Sequence, residues 1–210
     1  MSNLNDIEFV NGSISNLLAL YSNFERDFPQ NERKSIEHLE ILMSKDKYKL
    51  LLAKHRLLEE IVGYALIYII EDPKVLWLDY MAVEDKYKNS GYGTLLFNKI
   101  IECEGEGKRG MFIEVEIPEL DNIDQKRRVQ FYERLGAKKL SNDYKLPTSN
   151  GGLEMNLYYK VISNEKLLPA EIIKKSITAT FNYVHTDIDN RDKILKSFIT
   201  TIRDEYLSMP

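Results

Sequence analysis

The chain of 210 residues carries 29 Lys and Arg against 33 Asp and Glu, a formal net charge of -4, with 43% hydrophobic and 30% charged residues. This length holds one full domain with an appendage, or two small domains; the apolar fraction suffices for a sizeable core and excludes wholesale disorder. The acidic balance supplies no global attraction to a phosphate backbone or an anionic membrane, so no nucleic acid and no membrane is expected as a partner.

In chain order, Ile14, Leu17, Leu18 and Tyr21 have helical spacing behind Ser13 or Ser15 as a cap, and the helix ends before Phe28 and Pro29. A second helix is expected from about Asn31, as cap, to Ser44, with Ile36, Leu39 and Met43 on one face. Tyr48 to Lys54, Ile61 to Ile70 and Val75 to Val83 are rich in β-branched, aromatic and leucine residues and read as a three-strand meander. The run from Ile61 is interrupted by Gly63 and is about half the ~20 residues of a membrane-spanning helix, so it is taken as a buried strand. A charged segment and Gly91, Tyr92 and Gly93 then feed a helix carrying Leu95, Leu96, Ile100 and Ile101, broken by Gly105, Gly107 and Gly110.

Met111 to Ile117 reads as a strand and Asp121 to Gly136 as a helix with Gly136 at its C-terminal cap. Ala137 to Leu140 and Leu153 to Val161 are strands around a wide loop from Tyr144 to Gly152. The order ααβββαβαββ is an α/β fold with a mixed sheet. Beyond it, Pro169 to Val184 and Asn190 to Tyr206 are amphipathic, a helical hairpin docked on the domain or on a second subunit.

The bend from Lys88 to Thr94 is the most informative local feature, because backbone amides at a helix start make an anion site. A dinucleotide fingerprint needs a small residue where Leu96 stands, and a P-loop needs Ser or Thr after Gly107 and Lys108, where Arg109 stands. Both fail, and a Gly-x-Gly alone also suits an ordinary tight turn. The single cysteine, Cys103, forms neither an intrachain disulfide nor a cysteine metal cluster and reads as a packing residue. His38, His55 and His185 form no metal-spaced pair, so no metal is expected. The first residues lack a basic region followed by an apolar core, and a cytoplasmic location is expected.

Together with its flanks, Leu78 to Val83 and then Lys88, Asn89, Ser90, Gly91, Tyr92 and Gly93, the bend resembles motif A of the GNAT acyl-CoA acyltransferase superfamily: Arg or Gln, two residues, Gly, one residue, Gly or Ala. Lys88 stands at the Arg or Gln position. Arg127 to Gly136, with Phe131 and Tyr132 five and four residues before the glycine, looks like motif B, with Ala137 where Phe is commoner. A finer likeness is to a bacterial branch with Phe-Pro-x-x-Glu-Arg between its first helices, here Phe28, Pro29, Glu32 and Arg33, and a Glu-Val-Glu strand, here Glu114 to Glu116.

The resemblance covers roughly residues 1–161 and implies a mixed, mostly antiparallel sheet splayed between strands 4 and 5 and flanked by helices, with residues 162–210 as a C-terminal helical extension. It implies that Ala82 and Val83 hydrogen-bond the pantetheine arm of acetyl-CoA, the co-substrate. The amides of Asn89, Ser90, Gly91, Tyr92, Gly93 and Thr94 would then hold its diphosphate, with Lys86 and Lys88 adding charge.

Amide formation from a thioester needs a neutral amine, a stabilised oxyanion and a proton for the departing thiolate. The amide near Val83 is a candidate for the second role and Tyr132, at the motif B tyrosine, for the third; an ordinary core tyrosine is the alternative, since the chain has 13. Candidate bases are Glu114 and Asp79; Glu114 and Glu116 also read as surface carboxylates paired with lysines. Period-two alternation puts Glu114 and Glu116 on one strand face and Asp79 on a face with Met81 and Val83. The resemblance further implies that Glu32, Arg33 and Glu116 meet the acceptor: carboxylates suit a cationic amine and the Arg33 fork suits a carboxylate.

The expected function is N-acetyl transfer from acetyl-CoA to a primary amine of a small molecule or peptide, directly in a ternary complex. The competing class is a catalytically silent acyl-CoA-binding or protein-interaction module of the same fold. A homodimer through the C-terminal helices is one use for their apolar stripes. A tRNA-directed toxin of this fold suits the acidic balance poorly.

Overall fold

The computed structural model describes residues 4–207. In chain order the elements are β1 (Ile7–Gly12), α1 (Ile14–Asp27), α2 (Ile36–Met43), β2 (Tyr48–His55), β3 (Glu60–Ile70), β4 (Val75–Val83), α3 (Tyr92–Glu104), β5 (Gly110–Glu116) and α4 (Ile123–Arg134). They continue as β6 (Ala137–Lys139), β7 (Lys145–Thr148), β8 (Gly151–Val161), β9 (Leu167–Leu168), α5 (Ala170–Tyr183), α6 (Arg191–Phe198) and β10 (Glu205–Tyr206). The main sheet is mixed and mostly antiparallel, in the order β1-β2-β3-β4-β5-β8-β6 with β7 on β8, and β9 pairs with β10 in a small second sheet. Two compact units share the chain: Met1–Ile69 with Leu78–Glu106, and Ile70–Trp77 with Gly107–Pro210.

In the first unit α1 starts where expected. Ser13 accepts from the Asn16 amide at 3.3 Å and Asn16 Oδ1 accepts from the Ser13 amide at 2.9 Å, so two orphan donors are satisfied reciprocally. Its buried face is Leu17, Leu20 and Phe24, while Ile14 and Leu18 are exposed, so the apolar stripe is rotated from the one the spacing suggested. The second helix is shorter than expected. It begins at Ile36 with Ser35, not Asn31, as its cap, because residues 32–34 are drawn onto β4 by side-chain bonds described below.

Strand β1 is absent from the sequence reading. Its six residues are an edge strand, mostly half-buried, paired with β2 from Ile7 opposite His55 to Gly12 opposite Leu50. Gly63 on β3 has a steric reason: a Cβ there would stand 2.7 Å from the Ala82 carbonyl oxygen on β4.

In the second unit, the expected wide loop from 144 to 152 contains β7, which forms a hairpin with β8 from Lys145 opposite Glu154 to Thr148 opposite Gly151. The Thr148 hydroxyl donates to the Gly151 carbonyl at 2.7 Å and closes the turn. Helix α4 ends as expected, with Gly136 at a φ of +78°.

The tail departs further. α6 stops at Phe198, where the β-branched run Ile199–Thr201 forms a single 3-10 turn and Thr201 Oγ1 turns back to the Phe198 carbonyl at 2.7 Å. Tyr206 is therefore not on a helix; it pairs with Leu167 and is exposed. The stripe of Ile173, Ile177 and Phe181 on α5, with Val184 at its C-terminal cap, is fully buried within the chain itself, which leaves that stripe unavailable to a second subunit. Trp77, Phe112, Tyr144, Tyr159, Phe181 and Phe198 form a continuous aromatic core there. No helix among the described residues is long and apolar enough to cross a membrane.

Candidate active site

In the first unit, β4 ends at Val83 and the Glu84 amide still reaches the Val62 carbonyl at 2.9 Å. The chain then makes a 3-10 turn, Asp85–Tyr87, and enters α3 through two left-handed residues, Asn89 at φ +60° and Gly91 at φ +88°. Alternation of right- and left-handed backbone curls consecutive amides into a concave anion cradle. Gly91 is the N-cap of α3 and, having no side chain, makes no side-chain cap hydrogen bond to the first turn. About half a positive charge of helix dipole collects at this point. The bend is pinned from below by Tyr87 and Tyr92, both buried, whose rings meet edge to face at 5.4 Å.

The two lysines of the bend are not loose cations. Lys88 Nζ lies 2.6 Å from Asp85 Oδ1, both half or more exposed, and Lys86 pairs with Glu60, which also accepts from Tyr87 at 2.7 Å. Exposed pairs of this kind hold weakly, and either lysine can swing to an incoming phosphate at small cost. These features fit a diphosphate at the amides of residues 89–94.

Asp79, further back on β4, has a side chain 1% exposed. Its Oδ1 takes Lys34 Nζ at 3.0 Å and its Oδ2 takes the Tyr48 hydroxyl. Lys34 is itself buried, its amide donates to the Tyr80 hydroxyl at 3.1 Å, and Tyr80 donates to the Glu32 carbonyl at 2.7 Å. This network fastens residues 32–34 to β4. Beside it, Arg33 turns back to α1, with Nη1 2.6 Å from the Glu25 carbonyl oxygen and Nη2 3.1 Å from the Glu25 carboxylate. The Arg33 fork that suited a carboxylate acceptor is thus already engaged.

In the second unit, Glu114 and Glu116 lie on one face of β5, opposite Leu157 and Met155 of β8. Glu114 Oε1 accepts from the Tyr144 hydroxyl, and Glu116 Oε1 accepts from Arg128 on α4. Tyr132, also on α4, is buried with its ring edge to face on Phe131 at 5.1 Å. Burial pushes its phenol up to about 12; Arg128 pulls it down and Glu116 adds a smaller push upward. The phenol therefore keeps its proton at neutral pH.

Each unit thus brings together one part of the expected set: the bend with Ala82, Val83 and Asp79 in the first, Glu114, Glu116 and Tyr132 in the second. Lys34, Tyr48, Arg128 and Tyr144 went unnoticed in the sequence. Each meets its acidic partner 12 to 45 positions away, with no periodicity to join them.

No functionally curated protein matches the sequence. Among solved structures, the chain is similar to one from Bacteroides thetaiotaomicron assigned to the GNAT family, with 21% identity and a TM-score of 0.67, covering 84% of this chain and 98% of that one. It is also similar to the ribosomal-protein-S18-alanine N-acetyltransferase of Escherichia coli, at 20% identity and TM-score 0.58 over 76% of this chain and 96% of that one. A third likeness is to Arabidopsis thaliana NAA60 in complex with acetyl-CoA, at 15% identity and TM-score 0.57 over 74% and 98%. At these identities the likeness is one of fold. The family profile described as acetyltransferase (GNAT) matches residues 17–137, more than half of the chain, and the protein therefore belongs to the GNAT acetyltransferase family.

Proposed function

We propose that this protein is an acetyl-CoA-dependent N-acetyltransferase acting on a primary amine of a small molecule or peptide, by direct transfer in a ternary complex. The observation that carries the reading is the entry to α3. There a glycine N-cap at φ +88° follows a left-handed Asn89, so that the backbone itself turns into the helix start without a bulky capping side chain, in a chain of this family.

Acetyl-CoA supplies an activated acetyl group on a thioester. The amides of residues 89–94 hold its diphosphate, and the backbone at Ala82 and Val83 aligns its arm, the Val83 amide serving the oxyanion. Tyr132, neutral at any physiological pH, is the proton donor to the departing sulfur. Of the two candidate bases we assign the role to Glu114. Asp79 already spends both oxygens on Lys34 and Tyr48, which suits an anchor for residues 32–34 better than a proton acceptor. Glu116, with Glu32, draws a cationic amine. The engagement of Arg33 by Glu25 favours a cationic acceptor over an acidic one.

Free-thiol release from acetyl-CoA across a panel of polyamines, amino-acid amides and N-terminal peptides tests this. Amine-dependent release is expected with at least one cationic class. Tight coenzyme binding with no release from any amine would overturn catalysis in favour of a binding module.

A further inference from the structure

The C-terminal helices end, chemically, at one hydroxyl. Tyr144 precedes β7, is 1% exposed, and has its ring held on three sides: by Trp77 at 6.1 Å, by Phe181 of α5 at 6.3 Å and by Phe198 of α6 at 5.5 Å, the last two edge to face. Its carbonyl is fixed by the Met155 amide at 3.1 Å, so the backbone as well as the ring is held. The hydroxyl donates to Glu114 Oε1. Three aromatic rings, from β4, α5 and α6, thus converge on a single oriented donor, and the acceptor is the carboxylate assigned above as the base.

We propose that α5 and α6 are a clamp that fixes Tyr144, and that Tyr144 is a positioning residue which holds the Glu114 carboxylate in one orientation for proton transfer. The proposal rests on the reading of Glu114 as the base. It gives the tail a task beyond core filling: without Phe181 and Phe198 the phenol ring would have two open sides, and the carboxylate would lose a fixed partner.

The surroundings of Glu114 make Tyr144 the natural tuning group. On its own strand face the neighbouring charge is Glu116, which Arg128 of α4 already engages. From β8 the facing residues are Leu157 directly opposite, Met155 opposite Glu116, and Tyr159 opposite Phe112. Tyr159 is a phenol that burial keeps protonated, and its hydroxyl lies against Gly110 at the far end of the strand. From the tail, the Phe181 and Phe198 rings pack against Tyr144. A donor to the ionised carboxylate favours that form, so its removal moves the carboxyl titration upward.

The test uses the full chain labelled with δ-¹³C glutamate, the Glu114 resonance being identified by its loss in Glu114→Gln. Tyr144→Phe keeps the ring and removes the donor. Its Glu114 titration midpoint is expected to rise by about one pH unit, and the acidic limb of kcat/KM to rise with it, while acetyl-CoA affinity stays within twofold. Phe198→Leu, which loosens the clamp and leaves the hydroxyl, is expected to move both in the same direction by less. An unchanged Glu114 midpoint in Tyr144→Phe, or in Phe198→Leu should the first variant not fold, overturns the proposal. A midpoint that moves while the acidic limb stays keeps the clamp and refutes Glu114 as the base, so the two failures are distinguishable.

Discussion

Two carboxylates on successive strands of the chain, Asp79 on β4 and Glu114 on β5, began as equal candidates for one role, and their surroundings differ in kind. Asp79 is almost sealed and meets a full cation, Lys34, plus a phenol. Glu114 is half-buried and meets the phenol of Tyr144. An ion pair taken out of water is costly to break from one side, because the partner is left charged and buried. A carboxylate held by a neutral donor keeps its orientation without being neutralised. The first arrangement suits an anchor and the second suits a proton acceptor.

The largest effect that would break this contrast is on stability. Lys34→Met leaves Asp79 uncompensated and is expected to cost roughly 3–5 kcal/mol, whereas adding Asp79→Leu recovers most of it. Denaturant midpoints of the single and double variants check this, and equal loss in both would remove the anchor role. On the catalytic side, Glu114→Gln is expected to lower kcat/KM by about 10²–10⁴ and to erase the acidic limb, with little change in the unfolding midpoint. Asp79→Asn should show the reverse pattern, a weakened fold with the acidic limb retained; kinetic pH profiles beside melting curves separate the two.

Next in size is Tyr132→Phe, expected to lower kcat by roughly 10² with acetyl-CoA affinity nearly unchanged. Because burial holds this phenol near 12, no fall in rate from its ionisation is expected below about pH 10, and a basic limb near neutrality would point to another donor. The same shift bears on stability with a defined sign. The raised folded value contributes fully below the unfolded value of about 10 and is lost as pH rises towards 12. The smallest effect is Ser13→Ala, which removes half of the α1 capping box and should cost about 1 kcal/mol without altering kinetics.

Legibility in the sequence followed the range of the interaction. Ser13 as a cap, Gly136 past the end of α4 and the bend at Gly91 are local devices, and local spacing suffices to find them. Strand β1 escaped because an edge strand buries one face weakly and its Ile7, Phe9 and Val10 make too short a pattern. The hairpin of β7 escaped because Pro147, Asn150, Gly151 and Gly152 read as a loop, although they also permit a tight return. In the candidate site, residue types were readable on each strand, but their partners were not. Nothing near Lys34 announces Asp79, and Tyr144 is one of 13 tyrosines until α5 and α6 close on it. The apolar stripe of α5 was visible; that it serves the chain's own core required the packing.

The central claim is that main-chain amides at the start of α3 receive the diphosphate of a nucleotide thioester. Isothermal titration of the intact protein with coenzyme A and with acetyl-CoA tests it most directly. A single saturable site is predicted for both, weakened by adding millimolar pyrophosphate as a competitor. Absence of binding heat for either ligand at several temperatures, with the protein shown folded, would contradict it.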